Sequence, residues 1–531
     1  MATPSWPVVL QIRTGFVVAL VAGLVTAHPG PVGAAQVAAG GDSALPAVLS
    51  APNIEALRKL DAGAGQAFAR TLGFATPGDG GGGDWVWDPA STANENSCVV
   101  IRSARTNGAG RWVLDTSRGL MAKQCGARFD GTDDTAALQS AVDASCAQTS
   151  APLLVLPVGQ ARQHAALVAP RGCGLKIKGM GVHQTTLVNT CPTCDGIDFF
   201  NAGDTLIYGA RVEGLSLIAA GPFAQVNSSG TGIVFQSESN QSGIFDTLIR
   251  GYDTGIEADH DWNWALERTN VQFFGRYGLA LGANPDFKTS GGLRSLYNQF
   301  YNGGCQESCA SSIGLYQNRS GGDYFIEDEF NAARNCILLK TLSDATAITY
   351  DRFDSIICDA SLADGVVIDT TSGGATGYIA AVTFINLWSS FAGGDGVVIK
   401  GAMIDGISFN GGQIRENSGH GIHFDESATG ANNLLMDGMQ ISANGRLDRG
   451  AGQSHYAVYV GPGVSGWHLK NSVIGNFASA SKYSQGVYIS PGSSANFSVE
   501  SNIFVGVAGT GVVNNSTAPQ NSFSVDRNMS K

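Results

Sequence analysis

Between residues 152 and 515 the chain alternates short apolar runs with polar, glycine-rich breaks, and the runs share one phase. GIVFQ at 232, GIEAD at 255, GLALG at 278, GLYQN at 314 and CILLK at 336 open the series. GVVID at 365, GVVIK at 396, GIHFD at 421, AVYVG at 457, GVYIS at 486 and GVVNN at 511 continue it, at spacings of 22 to 36 residues. Many are preceded by another alternating run, such as Ala381–Ile385 or Ile404–Phe409. Period-two alternation predicts strands, and two or three short strands per repeat predict an all-β solenoid, a parallel β-helix whose inward apolar positions stack from coil to coil. Gly or Asn is expected at the corners, where positive φ is needed. Helical periodicity is nearly absent after residue 150.

The stretch before the repeats differs. Gly126–Ala144 (GARFDGTDDTAALQSAVDA) reads as a tight loop running into a short helix, with Thr132 or Asp133 as N-cap and Ala137, Leu138, Ala141 and Val142 on one buried face. The Phe-Asp-Gly-x-Asp-Asp-Thr pattern at 129–135 followed by such a helix resembles the opening of the pectate-lyase-type right-handed parallel β-helix superfamily, shared by phage tailspikes and secreted bacterial polysaccharide-degrading enzymes. The resemblance implies that the helix caps the N-terminal end of the solenoid and that these acids are structural. It also implies an extracellular polysaccharide as partner and, from the tailspikes, a homotrimer. Upstream, the glycine run at 80–83, the strand Trp85–Asp88 and the strand Gly110–Leu114 resemble the small head that precedes the β-helix in tailspike-like proteins. A phosphate-binding glycine loop is rejected, because no Lys-Ser/Thr and no helix follow.

The expected organisation is a signal peptide at 1–35, a linker at 36–52, the head at 53–120, a single-stranded β-helix at 121–515 and a tail at 516–531 that frays or caps weakly. Arg13 precedes the apolar run Gly15–Ala27, which is too short to span a bilayer, and cleavage after Ala27 or Ala34 fits a secreted, extracellular or periplasmic protein. With 531 residues, 71 glycines, 14% charged residues and a net charge of −12, the chain lacks a basic footprint for nucleic acid or anionic membrane. Ten cysteines in an exported chain point to disulfides: Cys191 with Cys194, Cys305 with Cys309, and Cys336 with Cys358, one coil apart. No His stands at ligand spacing beside them, which disfavours zinc.

Hydrolysis of a glycosidic bond needs two carboxyl groups, and on a β-helix they come from neighbouring coils. The best set is Glu327-Asp328-Glu329 with Asp351-Arg352-Phe353-Asp354. If Phe325 and Ile348 are equivalent inward positions, Asp328 stacks near Asp351 and Asn331 near Asp354. This resembles tailspike endoglycosidases, where one acid faces a pair three residues apart; the match implies Asp351 and Asp354 as the pair and Glu327 or Asp328 as the single acid. Arg352 and Trp388 would line the groove. Trp262 and Trp264, among Asp259, His260, Asp261 and Glu267, suit sugar stacking. A third cluster runs from Arg415 through His420 to Asp425. Its Gly-His-Gly resembles polygalacturonases, whose Asn-Thr-Asp and Arg-Ile-Lys motifs are missing. The expected function is therefore a depolymerase that hydrolyses an extracellular or capsular polysaccharide without a cofactor. The alternatives are a lyase or uronate epimerase using Tyr350 with Arg352, or Arg415 with His420, with Ca²⁺ if a lyase, and a non-catalytic glycan-binding module.

Overall fold

A computed structural model of the chain describes residues 48–530 apart from 64–66, 149–152, 201–206, 285–289, 306, 446–454, 476–484, 493 and 508–510. The expected signal peptide and most of the linker lie outside the described residues.

Residues 153–530 wind as a right-handed parallel β-helix. One fourteen-stranded sheet (sheet I) and two fifteen-stranded sheets (II and III) run its length, and a four-stranded sheet (IV) is added over four coils. One coil shows the order: Tyr324–Ile326 in sheet II, Glu329–Asn331 in III, Asn335–Lys340 in I and Ala347–Thr349 in IV. All eleven apolar repeats found in the sequence fall in sheet I and in one register, from Ile233 opposite Ile256 to Val487 opposite Val512. Inward side chains stack between coils. Phe325, Phe353, Phe384 and Phe409 form a ladder with ring centroids 4.7, 4.7 and 4.9 Å apart. Trp467, Phe497 and Phe523 form another at 4.9 Å. Offset stacking of this kind adds to the burial of each ring.

The corner between sheets II and III is two residues long, and the first of the two is left-handed in coil after coil: Arg268, Tyr297, Glu327, Ser355 and Asn386 have φ between 48° and 58°. Glycine or asparagine was expected at such corners. Bulkier residues tolerate the strain because each N–H donates to the next coil: Tyr297 to Ile326 O at 3.1 Å, Glu327 to Asp354 O at 2.9 Å, Ser355 to Ile385 O at 2.8 Å. The second corner residue turns inward. There Asn298 donates to Leu266 O (2.9 Å) and accepts from Thr269 N (2.8 Å), and Asn502 repeats the pattern.

The capping helix spans Thr135–Cys146 and buries Leu138, Ala141 and Val142, as its pattern predicts. Its cap residue is Asp134 rather than Thr132 or Asp133, and the buried Asp134 carboxylate accepts from Arg128 N and Phe129 N, both at 2.9 Å. The acids of the opening motif thus tie the loop together. The head is a five-stranded sheet formed by residues 48–114. At the other end, Phe523–Asp526 and Met529–Ser530 pair in register with Phe497–Glu500 and Ile503–Phe504. The tail therefore adds a last coil instead of fraying. All ten cysteines pair. The three expected bridges form, joined by Cys98–Cys125 and Cys146–Cys173.

Candidate active site

The acids singled out from the sequence do not converge. Phe325 stands opposite Phe353, and Ile348 belongs to sheet IV opposite Ser320, so the assumed equivalence of Phe325 and Ile348 is wrong. The extra strand of sheet IV shifts the count. Asp351 consequently lies next to Asp323, whose N–H donates to Asp351 Oδ1 at 3.0 Å, while Asp328 sits at the following corner. Both point inward: Asp328 is 0% exposed and Asp351 1%. Asp328 Oδ1 accepts from Asn298 N (2.8 Å) and Asn298 Nδ2 (3.0 Å), as a rung of the corner ladder. Burial pushes its carboxyl up to about 7. Burial and then Asp323 raise Asp351 well above the ordinary range. Gln317 Nε2 donates to both carboxyls, at 2.7 Å to Asp351 and 3.0 Å to Asp323.

Of the remaining candidates, Arg352 and Asp354 pair with each other at 3.0 Å on the outer face of sheet II, and Glu327 occupies a left-handed corner beside them. Tyr350 is 73% exposed on that side. Trp264 is 2% exposed and packs against Phe235, so it is core, whereas Trp262 is 41% exposed. Trp388 and Arg415 belong to sheet III, with the Arg415 guanidinium 5.8 Å from the Trp388 ring and paired with Glu416. A groove of about 510 Å³ on sheet II, lined by Arg294, Leu296, Tyr324 and Ile326, contains no acid–base pair.

His420 is the exception. It stands at the start of strand Ile422–Phe424 in sheet I, and the parallel register aligns two outward columns there. Gly365 and Gly396 precede matched strands, and the residue just before each is Asp364 and Asp395; His420 and Tyr456 hold the same place in the next two coils. Three residues further along, Val398, His423, Tyr459 and Tyr488 stand opposite one another. Asp395 joins the columns. Its Oδ1 accepts the His420 backbone N–H at 2.6 Å, and its Oδ2 lies 2.7 Å from His423 Nδ1. Asp364 Oδ1 in turn accepts the Asp395 N–H at 2.9 Å. Glycine is required beside them, because a Cβ at Gly419 would stand 2.0 Å from Asp395 Oδ1.

These contacts assign protons. Tyr456 N–H donates to His420 Nδ1 at 3.0 Å, so the neutral ring carries its proton on Nε2. Burial pushes His420 down to about 4, against the pull of Asp395, and the ring is neutral at physiological pH. For His423, burial is outweighed by the Asp395 hydrogen bond and the nearby carboxylates, which raise it above 6.5. Burial likewise opposes ionisation of Asp395, but the His423 bond and the two imidazoles hold it low. His423 donates from Nδ1 and presents Nε2 as a basic nitrogen. Tyr459 lies edge-on to His423, centroids 5.1 Å apart, and its hydroxyl accepts from Ser490 Oγ at 3.0 Å, which leaves the phenolic proton to give away. The His420 ring is 5.2 Å from His423 and 5.0 Å from Tyr459. Asp395 and Tyr459 were missed in the sequence, and His423 was noted only as part of the Arg415–Asp425 cluster, although the aligned repeats carry His423 and Tyr459 in one column. Among the described residues no three His, Cys, Asp or Glu side chains converge as a metal site.

Comparison with known proteins bears on fold. The model of the phage tail protein small four-stranded beta-sheet domain matches residues 50–117, the head. No curated protein matches. Among solved structures, the mannuronan C-5 epimerase AlgE6 A-module of Azotobacter vinelandii superposes with a TM-score of 0.50 at 15% identity, over 77% of this chain and 99% of that one. The tailspike protein 2 enzymatically active domain of bacteriophage CBA120 gives 0.45 at 14% identity, over 90% and 61%. A GH87 alpha-1,3-glucanase catalytic unit from Streptomyces thermodiastaticus gives 0.48 at 11%, over 80% and 73%. The fold the resemblance implied, the right-handed parallel β-helix, is the fold found.

Proposed function

We propose that the protein is an exported polysaccharide-active enzyme that removes the proton beside the carboxylate of a uronate unit, leading to β-elimination or epimerisation. The observation that carries this reading is the Asp395–His423 pair set against His420 and Tyr459 on one outward face. His423 Nε2 takes the C5 proton while Asp395 steadies the resulting imidazolium. The His420 Nε2–H donates to the carboxylate oxygen on which negative charge gathers. Tyr459 then gives its proton to the leaving C4 oxygen as the C4–O bond breaks and the C4=C5 bond forms. In epimerisation it returns a proton to C5 from the other face instead. A solvent-exposed two-carboxylate arrangement for hydrolysis is not what Asp328, Asp351, Asp354 and Glu327 form, and this favours the elimination or epimerisation alternative over hydrolysis. Five disulfides support an exported protein. No helix among the described residues is long and apolar enough to cross a membrane.

The test is incubation with a panel of uronans and neutral exopolysaccharides. Ultraviolet absorbance of unsaturated ends, deuterium uptake at C5 and new reducing ends are followed together. Absorbance or deuterium uptake is expected on a uronan, with His423→Ala lowering either by about 10²–10⁴-fold. Because His423 must be unprotonated to act, the rate should rise with pH through a midpoint above 6.5, and Asp395→Asn should move that midpoint down. Reducing ends alone, unaffected by His423→Ala, would overturn the assignment.

A further inference from the structure

A second cluster lies on the same outward face of sheet I. The register leads from Glu257 through Ala280, Tyr316, Leu338, Val367 and Val398 to His423, one residue per coil. Those six steps amount to about 29 Å at roughly 4.8 Å per strand. Around Glu257 stand Gln236, Asp259, Tyr277, Tyr316 and Arg319. Gln236 Nε2 donates to Glu257 Oε1 at 3.2 Å. Asp259 is wholly buried, and its Oδ1 accepts from Asn284 N at 3.1 Å. No donor reaches Asp259 Oδ2, and the Arg319 Nε–H, equally shielded from solvent, has no acceptor. Glu257 stands two residues before Asp259 on the same strand, Tyr252–Trp262. Burial first, and Glu257 next, push Asp259 up to about 8. Tyr277 and Tyr316 stack beside them with centroids 4.5 Å apart.

Asp259 is wholly buried, so the two carboxyls do not flank a scissile bond, which needs both within reach of the substrate. The cluster is instead equipped to hold sugar. Glu257, half-buried at the surface, offers acceptor lone pairs to hydroxyl groups, the Gln236 amide offers a donor, and the Tyr277 ring edge forms an apolar wall. We infer that Gln236, Glu257 and Tyr277, backed by Asp259 and Arg319, form a distal saccharide subsite that grips hydroxyl groups of the same polymer several sugar units from His423. The inference rests on the uronan reading for the identity of the polymer, but not on the chemistry at His423. A chain lying along the solenoid axis would occupy both places at once, and short oligomers only one.

Calorimetric titration tests this with oligomannuronates and oligogalacturonates graded from dimers to decamers. The receptor is the His423→Ala protein, so that no turnover intervenes. Affinity is expected to keep rising with length until both places are spanned. Tyr277→Ala added to this background removes the apolar wall without changing charge, and should weaken decamer binding about tenfold and leave trimer binding unchanged. Gln236→Ala, at the half-buried rim, should act in the same direction should the tyrosine stack prove intolerant of change. Equal affinity for all lengths beyond trimers, equal loss at every length, or no binding of either series would overturn the subsite. Length-dependent binding by a wild-type protein that neither eliminates nor epimerises would sink the proton-abstraction reading and leave the subsite standing.

Discussion

At the scale of single residues, the chain uses carboxyl groups in two opposite ways, and burial separates them. Asp395 is ionised because two imidazoles and a backbone N–H surround it. Asp328 is a corner rung between Asn298 and Ile356 whose carboxyl burial raises, and its Oδ2 is buried without a partner. Its folded value of about 7 exceeds the ordinary 3.8, so between those pH values the folded protein holds a proton the unfolded chain has released, and stability falls as pH rises across that window. Asp328→Asn keeps the acceptor for Asn298 and removes the ionisation. It should stabilise the protein by about 1–3 kcal/mol at pH 8, with little gain at pH 4, and leave turnover intact. Thermal midpoints across pH with a parallel activity assay check this. A destabilised Asp328→Asn protein would contradict the burial account, and an inactive one of unchanged stability would restore the catalytic role expected for Asp328 from its sequence setting.

At the scale of elements, the strand ladders explain what was legible and what was not. Each sheet I strand begins at a small residue and buries two alternating apolar positions, so the eleven repeats could be read directly and stacked in the right order. The same alignment contained the proposed site: writing GVVID, GVVIK, GIHFD, AVYVG and GVYIS in columns places His423, Tyr459 and Tyr488 one above another. What hid it is that a histidine or tyrosine on an outward position looks the same in sequence whether or not neighbouring coils supply partners. Sheet II was misread for a different reason. Its phenylalanines mark the inward register, but sheet IV inserts an extra alternating strand, and Ile348 in that strand mimics the next rung. The phenylalanine ladder is therefore expected to carry stability, and the exposed aromatic residues beside it not. Phe384→Ala empties a wholly buried place between Phe353 and Phe409 and should cost about 3–5 kcal/mol, whereas Tyr350→Ala should stay within about 0.5 kcal/mol. Thermal denaturation of the two variants side by side decides it, and equal losses would contradict the register of sheet II.

At the scale of the whole molecule, a β-helix is held by contacts between adjacent coils, so damage stays near where it is made. The five disulfides are distributed accordingly. Cys98–Cys125 ties the head to the turn before the capping helix, Cys146–Cys173 ties the end of that helix to the first coils, and two bridges close loops of 3 and 4 residues. Cys336–Cys358 differs in linking buried positions of sheets I and III, 22 residues apart, in the middle of the solenoid. On loop-closure entropy a bridge of that length contributes about 3 kcal/mol, against about 2 for the shortest loops. Replacing both cysteines by alanine removes the crosslink and leaves two small cavities, so local opening should become easier there. Hydrogen exchange should accelerate in residues of roughly 300–390, the coils on either side of the bridge, and remain unchanged in the head and beyond Gln485. The His423 centre lies on coils just C-terminal to the bridge, so turnover should fall less than the exchange protection of its neighbours. Uniform acceleration along the chain would instead mean that the solenoid opens as one cooperative unit, and the coil-by-coil account of its stability would fail.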